Sequence, residues 1–317
     1  MRRTVQSFLS LAGSRKLAGS IDTFFDNEVL KATRARFIIG IFYFILFTTS
    51  VQAFSYFYQF PDWATLIASR HLFMPLWSSR WILWSDWEFS VRLILMLHFS
   101  GSLLVMISWE RWRWSRVVAF ITTFQYLSLI SSFGKIDHYM HLVVIVEFML
   151  IFLPGPGGET SPVKTLRIVF GIQSMILLTY FVSGAFKILG IVTQEIGGQP
   201  SALSPVAFSE HVARTIFTTN EPTFFSSVIL DHQSWLATTI LLSGYLIEVC
   251  SIFIIFCPDL QRIWGFILLI FHSAILMTIG PDFTIQMLVA GIFLVFSPFT
   301  STRSSNPSPV SFLVRNK

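Results

Sequence analysis

Charge is scarce in this chain. Of 317 residues, 22 are Lys or Arg and 17 are Asp or Glu, so 12% are charged while 53% are hydrophobic. A soluble domain carries about 25% charged residues. So much apolar surface cannot be hidden inside soluble domains of this size, and a soluble fold is excluded. Cysteine is nearly absent as well. Cys250 and Cys257 lie in one apolar stretch without polar neighbours, which suits packed thiols and speaks against a disulfide framework or a cysteine metal centre. No P-loop or G-x-G-x-x-G pattern occurs, which removes the usual nucleotide-binding motifs. No repeat of fixed period occurs either, so nothing supports an inverted-repeat transporter plan. Residues 1–20 never reach an apolar run of about seven, and a cleaved signal peptide is not expected. The net charge of +5 would suggest nucleic acid in a soluble protein. Here it matters through its sidedness, and no nucleic-acid partner is expected.

Apolar length is what the chain has in abundance. A hydrocarbon core of about 30 Å needs roughly 20 apolar helical residues, or somewhat fewer where the bilayer adapts. Eight stretches answer to this: Phe37–Phe60, Val91–Trp109, Val117–Phe133, His138–Leu153, Ile168–Val192, Trp235–Cys257, Ile263–Gly280 and Phe283–Ser297. The third, fourth and eighth are short. The expected fold is all-α, a polytopic transmembrane helix bundle of about eight spans. With the N-terminus inside, most of the 22 basic residues fall in inward segments, among them Arg2, Arg3, Arg15, Lys16, Arg111, Arg113, Arg116, Arg262 and Arg303. Only Arg70, Arg80, Lys135 and Arg214 fall in outward ones. That bias places both termini in the cytoplasm.

The expected organisation is a cytoplasmic segment 1–36 with an interfacial helix around Phe8–Ala12, a membrane domain 37–299, and a disordered cytoplasmic tail 300–317. Outer segment 62–90 carries Trp63, Trp77, Trp81, Trp84 and Trp87, an aromatic belt among headgroups. Outer segment 193–234 contains the amphipathic run VAFSEHVARTIF and the helix-start signal TTNEP, and suits a folded cap over the outer mouth.

An ionisable group within lipid costs about 2.5–3.5 kcal/mol on insertion scales, so each one needs a reason. Arg92 at the first turn of its span suits snorkelling. His98, two turns deeper, faces either the bundle or Arg92. In GKIDHYMHL, Asp137, His138 and His141 share one helix face at the outer surface. The set lacks the context of known zinc motifs, no metal is expected, and a hydrated helix start is the plainer reading. Lys187, in YFVSGAFKIL, lies about 8 Å inside the end of its span. At that depth an amine serves as a base or nucleophile, unless it snorkels toward Glu195. Small residues Ser183 and Gly184, one turn back, permit close helix approach on the lysine's own face and favour a lysine turned to neighbouring helices. Glu147, Glu248 and His272 lie near mid-depth of separate spans, as structural glue or proton carriers, with His272 the natural partner of either glutamate.

At these residues the chain resembles the HTTM domain shared with the vitamin K-dependent gamma-carboxylases. DHYMHL is similar to the family's stretch at a helix start, and YFVSGAFKIL to its lysine-bearing helix. LIEVCSIFIIF and FHSAILMTIGPDFTIQML are similar to its later glutamate and histidine helices. The resemblance spans about residues 20–300. It implies Lys187 as the base that activates a reduced quinone such as vitamin K hydroquinone, with the helix-start histidine at His138. In this chain His138 or His141 would assist the lysine. In that family the oxygenated quinol yields a strong base, which removes a γ-proton from a peptide glutamate before carbon dioxide adds. Phe186 stands where the family has a first lysine, Asp137 where Asn is usual, and the Trp common after the lysine is missing. The family's carboxylases also continue into a large extramembrane portion beyond this domain.

The expected function is therefore an HTTM-like, gamma-carboxylase-like integral membrane enzyme, multi-pass and in the cell membrane if bacterial. It would modify an exported peptide or a lipid-soluble substrate at an exoplasmic-facing pocket. The alternatives are a non-enzymatic transport or binding component with Glu147, Glu248 and His272 along a polar path, or a structural subunit of a peptide-maturation complex. Membrane lipids, an exported peptide and a partner subunit are the expected partners.

Overall fold

A computed structural model describes residues 28–59, 77–84, 86–132, 140–155, 162–198, 201, 204, 207–219, 226, 230, 234–278 and 283–299. These residues form helices and no strand. In chain order they are α1 (Glu28–Gln59), a 3-10 helix (Trp77–Trp84), α2 (Trp87–Ser108), α3 (Arg113–Ile130), α4 (His141–Leu150), α5 (Pro162–Ile196), α6 (Ala207–Thr219), α7 (Ser234–Ile254), α8 (Gln261–Thr278) and α9 (Thr284–Ala290). The last runs on as a π-turn, Gly291–Val295. The expected interfacial helix near the N-terminus, the tail from 300, Trp63, Asp137, His138 and the Asn-Glu-Pro of TTNEP lie outside the described residues, while Thr218 and Thr219 of that run close α6.

Among the described residues a helix falls within each of the eight expected stretches. Four are long and apolar enough to cross a membrane: Leu30–Ser55, Glu88–Ser108, Pro162–Ile196 and Pro258–Thr278. His141–Leu150, Thr238–Ile254 and Thr284–Val295 are shorter apolar helices. α1 and α5 both start ahead of their apolar runs. The extra turns carry Lys31, Arg34 and Arg36 on α1 and Lys164 and Arg167 on α5. Long basic side chains extend a helix into the headgroup layer while their stems stay on apolar surface. Proline opens α5, where a missing N–H costs nothing.

The bundle sets polar residues within an apolar core and presents an apolar exterior. On α1 the face Ala35, Ile38, Ile39, Phe42 and Leu46 is buried, while Phe37 and Phe44 stand exposed. Ser50, Ser90, Ser102, Thr123, Ser128, Glu147, Gln173, Glu248 and His272 are buried, and Ile107, Ile121, Phe186, Phe253 and Ile270 are exposed. Water would penalise an apolar exterior of this extent, and lipid does not. α1 packs on α2 and α5, α2 on α3, α3 on α4, α5 on α7, and α8 on the π-turn.

Several polar contacts fix these joins. The Asp86 carboxylate caps α2 by accepting from the Phe89 amide at 2.7 Å. The 3-10 helix within the tryptophan-rich segment docks on the end of α3, where Ser79 lies 3.2 Å from Ser128 and 3.0 Å from Ser132. Its Ile82 is buried, so this stretch is partly core. Gln173 donates from Nε2 to the Phe293 carbonyl at 2.6 Å, one of the groups exposed by the π-turn. Cys250 and Cys257 are free thiols, and Cys257 is exposed at the end of α7, against the expectation that both are packed.

Candidate functional site

The candidate site is built where α5 meets α7, and a glycine makes the meeting possible. A Cβ placed on Gly184 would stand 2.7 Å from the Glu248 Cβ and 2.9 Å from the Val249 backbone nitrogen. Only hydrogen fits there, so the two backbones approach closely and the flanking side chains face one another. Lys187, one turn on, donates to both carboxylate oxygens of Glu248, at 2.6 and 2.7 Å. The lysine side chain is 39% exposed and the glutamate 5%. Tyr245, three residues before Glu248 and hence on its face of α7, lays its ring 5.3 Å from the Lys187 nitrogen.

Two turns below Lys187, on the same face of α5, the Tyr180 hydroxyl lies 2.7 Å from Nε2 of His272 on α8. Both residues are buried. The histidine ring packs against Phe271 and Phe283, each with its centroid 5.1 Å away. Tyr180 and Lys187 lie seven residues apart on one face of α5, so the two pairs line the same side of that helix. The site thus holds an ammonium, a carboxylate, a phenol and an imidazole on three helices, and its amine is open on one side.

Lys187 does not reach Glu195, whose carboxylate accepts from Ser201 instead. His141 is not among the polar contacts of Lys187, and the imidazole near the amine is that of His272. His272 bonds to Tyr180 rather than to either glutamate. Arg92 pairs with Glu88 on its own helix at the exposed surface, which leaves His98 turned to the bundle. Glu147 and His98 meet through Thr123 of α3, which donates to Glu147 Oε1 at 3.3 Å and lies 3.4 Å from His98 Nδ1. Glu147 and Glu248 therefore belong to different constellations.

Sequence reasoning passed over Tyr180, Tyr245, Thr123 and Tyr43. The first two carried a usable signal, seven residues before Lys187 and three before Glu248, spacings that put each on the face of its neighbour. Among the described residues no group of three His, Cys, Asp or Glu is placed to hold a metal ion. No family model, curated protein or solved structure matches the chain. The fold and site define its class: among the described residues, an all-helical protein with four helices long and apolar enough to cross a membrane and ionisable pairs between helices.

Proposed function

We propose that the chain crosses the bilayer eight times with both ends in the cytoplasm, and that it is an HTTM-like membrane enzyme acting on a lipid-soluble or exported peptide substrate at Lys187. The observation that carries this reading is the direction of the lysine. An amine whose only task is to escape lipid extends to the headgroups, whereas this one is held by a carboxylate from another helix and stays open on one side.

Proton transfer from Lys187 to Glu248 turns an ion pair into a neutral amine and a neutral acid without changing net charge, a move that low dielectric favours. The amine then takes a proton from a substrate hydroxyl at its open side. Tyr180 and His272 stand behind as a second acid–base pair. The reduced quinone implied by the resemblance fits these residues, since the Tyr245 ring offers a planar face beside a proton acceptor. Bound there, it would supply reducing equivalents and an acidic hydroxyl.

Quinol turnover in membranes carrying the protein tests the reading. Lys187→Ala is expected to lower it at least about 100-fold, the usual worth of a positioned base, and Glu248→Gln to lower it less. Turnover equal to wild type in Lys187→Ala sinks the catalytic role.

A further inference from the structure

The α1–α4 half of the bundle holds a polar constellation that this chemistry does not use. Glu147, in the middle of α4, is 1% exposed and makes no ion pair among the described residues. Its Oε1 takes the Thr123 hydroxyl, and Thr123 in turn touches His98. The His98 ring is stacked on Tyr126, centroids 4.6 Å apart and planes 4° apart, which fixes its orientation. Tyr43 of α1, also 1% exposed, interacts electrostatically with both Glu147 and Arg116.

Four buried atoms here have no hydrogen-bond partner among the described residues: Glu147 Oε2, His98 Nε2, Tyr43 Oη and Ser102 Oγ. Folded proteins rarely leave such atoms unpaired. Four of them on helices that pack together mark a place for something small and polar. One carboxylate and one imidazole are too few donors for a zinc or calcium site. A proton, with the water that carries it, needs no more.

An approach to this place exists. The Tyr43 ring packs on Trp109 with centroids 6.0 Å apart. Trp109, Arg36, Glu110, Arg116 and Thr165 line a cavity of about 200 Å³ at the membrane face where α2 turns into α3. Arg116 holds that wall by donating to the Trp109 carbonyl and, at 2.6 Å, to the Leu153 carbonyl, at the ends of α2 and α4. Two helix ends with partial negative charge balance its guanidinium, which leaves Glu147 without a counter-ion.

We infer that Glu147, with His98, Thr123 and Tyr43, is an internal proton-binding site loaded from the Arg116 cavity by way of Tyr43. A proton from cavity water passes the Tyr43 hydroxyl and binds Glu147 Oε2, and no other bond changes. When it leaves, the Thr123 hydroxyl and the His98 ring share the charge left behind. The ionisable groups facing Glu147 are Tyr43 from α1 and His98 from α2, while Arg116 of α3 is turned to the Trp109 and Leu153 carbonyls. Of the other helices packed on α4, α9 carries no ionisable residue; on α5, Lys164, Arg167 and Glu195 are exposed, Lys187 is paired with Glu248, and the buried phenol of Tyr180 is turned to His272.

Infrared titration of the purified protein in lipid nanodiscs tests this site without reference to any substrate. Wild type is expected to show a deuterium-sensitive band of a protonated carboxyl that titrates with pH. Glu147→Gln removes the band, Glu147→Asp shifts its frequency, and Glu248→Gln leaves it in place. Should Glu147→Gln fail to fold, the shift in Glu147→Asp decides the assignment. Tyr43→Phe slows hydrogen–deuterium exchange of the band at least tenfold. A band that survives unshifted in the Glu147 variants, or no band at any pH, overturns the site. Unchanged exchange in Tyr43→Phe overturns the route.

Discussion

The two partners of the Lys187–Glu248 pair are unequally buried, so their removal has unequal consequences. Lys187→Met strands a carboxylate that is 5% exposed. The expected cost is about 3 kcal/mol, the low end for a broken buried pair, because the carboxyl can take up a proton in compensation. Glu248→Gln leaves a lysine already 39% exposed, free to swing to the headgroups, and costs under about 1 kcal/mol. Thermal unfolding in detergent reads the order, and a larger loss for Glu248→Gln would contradict the geometry. The sequence disclosed one side of this pair. Ser183 and Gly184 showed which face of its helix Lys187 occupies, since 3.6-residue periodicity is local. Its partner sits 61 positions away, and which helices touch, at what rotation, depends on packing that no spacing within one helix reports. For the same reason the spacing suggests a glutamate for His272 while the structure gives it Tyr180.

Among the elements, close helix contacts rest on glycines whose tolerance differs in a predictable way. A Cβ on Gly184 meets backbone and the root of a side chain, and one on Gly265 stands 2.6 Å from the Leu294 Cβ and 3.0 Å from the Val295 nitrogen. Neither neighbour can step aside, so Gly184→Ala and Gly265→Ala are each expected to cost about 1–3 kcal/mol. On Gly171 the added Cβ meets only the Met149 Cε, at 2.8 Å. That is the end of a flexible chain, and Gly171→Ala is expected to lie within about 0.5 kcal/mol of wild type. Unfolding temperatures of the three variants check the ranking. The helices themselves were legible because apolar runs of this length have few other fates. Their ends were less so: α1 and α5 continue through basic residues that resemble loop in composition but extend a helix among headgroups.

For the molecule as a whole, the interior serines, threonines and ionisable pairs against an outer coat of phenylalanine and isoleucine are what lipid selects. Composition alone announced that. The proposed eight crossings would open the α2–α3 turn and the α7–α8 turn on one side and the end of α5 on the other. With Cys250 and Cys257 replaced by serine, Arg111→Cys and Asp259→Cys are expected to react with an impermeant maleimide from the cytoplasmic side only, and Gln194→Cys from the opposite side only. Labelling of all three from one side would reject the arrangement.

At 35 residues, α5 is about 52 Å long, against a hydrocarbon slab of about 30 Å. To fit wholly inside, it would have to lean near 55°, beyond the roughly 0–40° that such helices adopt. Even at the steepest ordinary lean, about 13 Å of rod stands clear of the oily layer. Lys164 and Arg167 near one end and Gln194 and Glu195 near the other, all exposed, act as collars set wider than the slab they straddle. The bilayer therefore has a turn or more of play along this mast, and the protein is suited to thin and thick membranes alike without reworking its anchor.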